Sequence, residues 1–154
     1  MKNYIDKSTR EIYAYESDGS QDAFIKEGLV PISDEDLAAM IAPTTEQLLS
    51  QLTAARKEQE RQGVTLNGIR YAGDPGNRQA LQEAIAYIED AGLTEFPTWK
   101  DSDDVFHADH PVADAVDAYR AIGMRRVALI AAEGEYAAQI TAGTLTDLSE
   151  VVWP

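Results

Sequence analysis

Between Val64 and Tyr71 the chain reads Val64-Thr65-Leu66-Asn67-Gly68-Ile69-Arg70-Tyr71, two short alternating runs around an Asn-Gly pair. Asn and Gly tolerate positive φ, which both central residues of a type I′ turn demand, and that turn carries the twist needed to join antiparallel strands. A hairpin is therefore expected here. Two strands alone bury too little to persist in water, so something must cover them. The next residues supply the cover. Asp74-Pro75 reads as a helix cap followed by a first-turn proline, and Leu81, Ala84, Ile85 and Ile88 recur at helical spacing as far as Gly92. Pro97 to Lys100 and Val105 to Ala108 read as a second hairpin around Asp101–Asp104. A long helix is expected over about 111–142, with Gly123 and Gly134 as places where it can kink or break. A last short helix over 144–150 precedes Trp153, which together with Trp99 is expected to anchor the core.

Upstream, residues 44–62 form a helix that starts at a Thr cap and stops at Gly63. Its apolar residues, Leu48, Leu49, Leu52 and Ala55, crowd the first half, and Arg56 to Arg61 are polar on every side. That loss of an apolar face predicts a solvated connector. Before it, Glu11 to Glu16 reads as a strand and Ser17-Asp18-Gly19-Ser20 as a turn. Pro31 suits an edge-like extended stretch, and Ser33 caps a helix over 34–41 that opens on three acids. The fold class expected is α+β: a small N-terminal β-rich segment (1–43), a connecting helix (44–63), and a compact C-terminal domain (64–154) of two β-hairpins packed on two or three helices.

Charge narrows the partners. Twenty-seven acids against thirteen bases leave −14, which repels nucleic acid and anionic membranes, so neither is expected as a partner. No apolar run is long enough for a bilayer-spanning helix, and the first residues lack the pattern of a secretory signal. There is no cysteine, which removes thiolate catalysis, disulfides and cysteine-ligated zinc.

Chemistry is sparse. Asp101-Ser102-Asp103-Asp104-Val105-Phe106-His107-Ala108-Asp109-His110 gathers carboxylates and imidazoles, the ligand types of calcium, zinc and manganese. It lacks the HExxH spacing and the EF-hand pattern, and the bland reading is a solvated acidic turn with His107 packed beside the sheet. Asp18 to Asp22 is a turn by composition, and Gly73 to Asn77 lacks the GK[ST] ending of a phosphate loop. No catalytic residue, cofactor or metal ligand is assigned, and a non-enzymatic protein is expected. The aromatic pair Tyr13 and Tyr15 shares one strand face, which suits either a small core or an exposed recognition surface, and with Phe24 forms the candidate partner-binding set.

Segment 53–153 resembles an uncharacterised phage domain often found at the C-terminal end of tail-fibre assembly proteins. The resemblance rests on Gly63 to Tyr71, Asn77-Arg78-Gln79-Ala80-Leu81, Trp99-Lys100 and the block Gly143-Thr144-Leu145-Thr146-Asp147-Leu148-Ser149-Glu150-Val151-Val152-Trp153. Residues 13–22 and 27–36 resemble the start of small tail-fibre assembly proteins of tailed phages and prophages. The resemblance implies an assembly factor or chaperone that binds a phage tail-fibre protein and promotes its folding, trimerisation or attachment. It implies action in the host cytoplasm during phage assembly, with baseplate proteins and a second copy of the chain as further partners. The alternative it leaves is a structural virion protein at the tail-fibre tip or baseplate, placed in the virion tail.

Overall fold

The computed structural model describes all 154 residues, which divide into two compact units, Met1–Pro43 and Thr44–Pro154. The fold is α+β.

In the first unit, β1 (Lys2–Ile5) pairs antiparallel with β2 (Ile12–Tyr15) and with the two-residue β3 (Val30–Pro31), giving the sheet order β2–β1–β3. The strands are joined by a turn in which Asp6 Oδ1 accepts from the Ser8 amide at 2.8 Å and Arg10 takes φ +62°. A short 3₁₀ turn, Asp22–Phe24, leads to β3, where Pro31 sits on an edge strand, the place in a sheet that tolerates its missing N–H. Helix α1 (Asp34–Ile41) starts where its cap predicts: Ser33 Oγ accepts from the Asp36 amide at 3.0 Å. No residue of this unit is buried.

The second unit opens with α2 (Thr45–Gln62), fixed at its start by a capping box in which Thr44 and Gln47 each bond the other's backbone. The hairpin β4 (Val64–Leu66) and β5 (Ile69–Tyr71) turns at Asn67 (φ +52°) and Gly68 (φ +79°), as the Asn-Gly pair predicts. Helix α3 (Pro75–Asp90) is capped by Asp74. The second hairpin, β6 (Glu95–Lys100) and β7 (Phe106–Pro111), is longer at its open end than the sequence pattern suggests. Helix α4 (Val112–Thr141) passes through Gly123 and Gly134 without interruption, because packing on α2 and α3 outweighs the modest cost of two helical glycines. The closing segment forms only a 3₁₀ turn, Leu148–Glu150.

Two clusters make the core of this unit. The larger joins Tyr71, Leu81, Ile85, Ile88, Phe96 and the first half of α4. The smaller joins Leu48 and Leu52 to Ile140 and Leu145, with Tyr136 and Trp153 packed against it. Helix α2 is therefore not the solvated connector its pattern suggests. Its apolar first half packs on the end of α4. Its polar second half is held there by charge: Arg56 Nε lies 2.6 Å from Glu133 on α4, and Arg126 Nε lies 3.3 Å from Glu60. Periodicity of apolar residues cannot register a helix face held by ion pairs.

Candidate partner-binding surface

Antiparallel register sets the face of the N-terminal sheet. Tyr4 lies opposite Tyr13, and Lys2 opposite Tyr15, so all four side chains project from one side. Tyr4 and Tyr15 meet edge to face with centroids 5.6 Å apart, the arrangement favoured by ring quadrupoles. Tyr13 donates its hydroxyl to Glu11 Oε2 at 2.7 Å, and the bond to that carboxylate raises its pKa above the ordinary phenol value. Lys26 Nζ stands 4.6 Å over the Tyr13 ring. Lys2 is bonded to Asp22 at 2.7 Å, which raises the lysine's pKa.

Of the residues expected to bind a partner, Tyr13 and Tyr15 therefore share a face. Phe24 sits on the 3₁₀ turn, 73% exposed, and the ring pair of this sheet leaves it out. Tyr4 shares this half-buried face, on the side of the sheet away from the exposed Ile12 and Ala14, although no sequence feature assigned it. The signal was present: strand alternation carried back across the 6–11 turn places Tyr4 opposite Tyr13.

The sheet edge adds a second property. Strand β2 pairs only with β1, so its outer side presents free backbone donors and acceptors. Its four residues, Ile12-Tyr13-Ala14-Tyr15, include no charge and no proline, the devices that ordinarily blunt an exposed edge.

In the second unit the Asp/His segment divides into two separate arrangements. His107 Nε2 bonds Asp101 Oδ2 at 2.8 Å, while Asp101 Oδ1 accepts from the Asp103 and Val105 amides at 2.8 and 2.9 Å. The hydrogen bond from His107, aided by the Val105 amide, holds the Asp101 carboxyl below its ordinary pKa. Asp101 is thus the staple of the β6–β7 turn. His110 turns inward, where Nε2 meets the Tyr71 hydroxyl at 2.8 Å, and burial lowers its pKa. No three His, Asp or Glu side chains converge as a cation would require. A cleft of about 280 Å³ lies between α3 and β6, lined by Tyr71, Asn77, Leu81, Trp99, Lys100 and Ser102. Trp99 packs 5.0 Å from Phe96 and 5.4 Å from His110, and its indole N–H is buried without a partner.

Elsewhere, Glu60 is buried among arginines: Arg56 at 2.5 Å, Arg126 at 3.3 Å and Arg78 at 3.6 Å. Arg56 Nε meets Glu133 at an angle that makes an ion pair and not a hydrogen bond. No sequence pattern marks this group, because its members lie on three helices. No helix of the chain is long and apolar enough to cross a membrane.

No curated protein and no solved structure matches the chain. A family model does, over residues 43–152, a span that begins one residue from the start of the second unit. The chain belongs to the family that model describes, the domain of unknown function DUF4376.

Proposed function

We propose that the protein is a tail-fibre assembly factor of a phage, which holds a fibre chain through residues 1–43 until that chain has folded, trimerised or been attached. The observation that carries this reading is the uncharged β2 edge beside the tyrosine face, in a unit without a single buried residue. An incoming extended segment can add to β2 through main-chain hydrogen bonds while Tyr13, Tyr15 and Tyr4 pack on its side chains. Fibre chains present such unpaired strands before they assemble. The ordering of a thinly packed unit on its partner fits a contact that is made and then released. The phage context comes from the sequence resemblance and from nothing in the fold.

The test is affinity capture of the tagged full-length protein from phage-producing cells, with quantitation of what co-purifies. A long fibre chain recovered near stoichiometrically supports the assembly reading. Recovery of baseplate or other tail proteins without a fibre chain moves the assignment to a structural virion component. Recovery of neither overturns both.

A further inference from the structure

The side of α4 turned away from the two core clusters carries an unbroken apolar line. Met124, Val127, Ala131, Gly134 and Ala138 follow one another at alternating steps of three and four residues, which keeps them within one stripe. The buried residues Ala115, Ala118, Ile122, Leu129 and Ile140 occupy the opposite side of the helix. All five stripe residues are exposed, Met124 at 75% and Val127 at 69%. The water-facing side of such a helix ordinarily carries charge. From Met124 to Ala138 this stripe carries none, and the exposed Asp117, Arg120, Arg126 and Glu135 of α4 lie beyond its end or beside it.

We propose that the stripe is the seat of a second copy of the same chain, with two α4 helices packed antiparallel about a two-fold axis near residues 129–130. Shape argues for this occupant. The stripe is bulky at one end, at Met124 and Val127, and small at the other, at Gly134 and Ala138. A parallel pair would set Met124 against the partner's Met124 and leave a gap between the two glycines. The antiparallel pair seats Met124 over the partner's Gly134 and Val127 over the partner's Ala131, so the backbones approach closely along the whole contact. Gly134 has nothing within 4 Å of the position its Cβ would occupy, so that space is open to a neighbour.

Charge argues the same way. Arg120, next along the stripe and paired on its own helix with Asp117 at 3.3 Å, would oppose the partner's Arg120 in a parallel pair. In the antiparallel pair it reaches the end that holds the partner's Glu135. Each half of the stripe thus supplies the shape and charge that the other half lacks, the self-complementarity a two-fold interface requires. The pairing uses α4 alone and stands whether or not residues 1–43 bind a fibre.

Sedimentation equilibrium of the full chain, from micromolar to hundred-micromolar concentration, tests it. A reversible monomer–dimer equilibrium is expected. Val127→Glu should weaken it by at least about tenfold with helix content by circular dichroism unchanged, since Val127 supports no core cluster. A monomer at every concentration, or a trimer, overturns the proposal. Orientation is read on the cysteine-free background. Met124→Cys/Gly134→Cys should form disulfide-linked dimers on mild oxidation. Met124→Cys alone should not, because the two thiols lie about 15 Å apart along the antiparallel pair, ten residues at about 1.5 Å each. Equal linking by the single variant overturns the antiparallel arrangement.

Discussion

The hydroxyl of Tyr71 lies 2.8 Å from Nε2 of His110, with both side chains buried between β5 and β7. Burial is the first cause of both shifts: it lowers the imidazole's pKa and pushes the phenol up to about 12. The pair is therefore neutral at pH 7, with the phenol donating and the imidazole accepting. Protonation of His110 removes the acceptor and places a charge in the core.

From this follows a pH dependence with two separate limbs. His110 binds its proton less readily folded than unfolded, so stability is lost as pH falls below the unfolded value of 6.5. Tyr71 holds its proton more tightly when folded, so stability is lost as pH climbs from 10 toward 12. The melting temperature measured across pH should fall on both limbs, and His110→Phe should flatten the acid limb between pH 7 and 5. Tyr71→Phe leaves the imidazole unpaired and should cost about 1–3 kcal/mol at pH 7 in urea unfolding.

Two glycines should prove irreplaceable where a third is not. A Cβ on Gly63 would lie 1.8 Å from the Tyr71 carbonyl oxygen, at φ +69°, and one on Gly73 would lie 2.3 Å from the Glu60 carbonyl oxygen. Both obstacles are backbone, so Gly63→Ala and Gly73→Ala should each cost about 4 kcal/mol or more, or abolish folding. Gly123→Ala, in an open helical position, should instead stabilise by about 0.4–1 kcal/mol. Chemical unfolding midpoints of the three variants decide the matter.

Glu60 is the only carboxylate shared by Arg56, Arg78 and Arg126. Glu60→Gln should destabilise by about 3–5 kcal/mol, because it leaves the little-exposed Arg56 guanidinium with a net positive surrounding. Glu58→Gln, which touches only the exposed Arg61, should change stability by less than about 1 kcal/mol. Comparable losses in the two variants would sink the view that Glu60, the acid common to all three arginines, holds the group together, with Glu133 compensating Arg56 alone.

Replacement of Tyr13 and Tyr15 by Ser should abolish capture of a fibre chain while leaving the near-ultraviolet dichroism of Trp99 and Trp153 unchanged. A single Ala14→Lys, which charges the β2 edge without touching the tyrosines, should weaken capture as well if the partner adds as a strand. Full-strength capture by both variants removes residues 1–43 as the contact surface.

How much of this the chain disclosed in advance depended on the range of the interactions. The 64–71 hairpin and the starts of α1, α2 and α3 are written in a few adjacent residues: Asn67-Gly68, and the caps Ser33, Thr44 and Asp74. Those expectations carried to the structure with small shifts at the ends. The place of α2 was not legible, because Arg56 finds Glu133 and Arg126 finds Glu60 across long stretches of chain. Nor were the separate partners of His107 and His110, whose ring centroids lie 6.4 Å apart but whose three-residue spacing says nothing of which one bonds Asp101 and which bonds Tyr71. Of the surface residues, Tyr13 and Tyr15 followed from alternation within one strand, while Tyr4 required the register of the neighbouring strand.

The close approach of Gly63 and Gly73 also bears on how this hairpin can vary in length. The chain leaves α2 and returns to it at nearly the same point, where the Gly73 amide donates to the Arg61 carbonyl oxygen at 3.4 Å. The residues between form a closed loop whose ends cannot slide. Any growth must enter at the Asn67-Gly68 tip. There a matched pair, one residue on each strand, lengthens the ladder, and a single residue widens the two-residue turn to three, with Leu66 and Ile69 kept on the core in either case. The same single residue placed inside one strand would turn the part beyond it from core to solvent. The hairpin is thus pinned at its base and adjustable only at its tip.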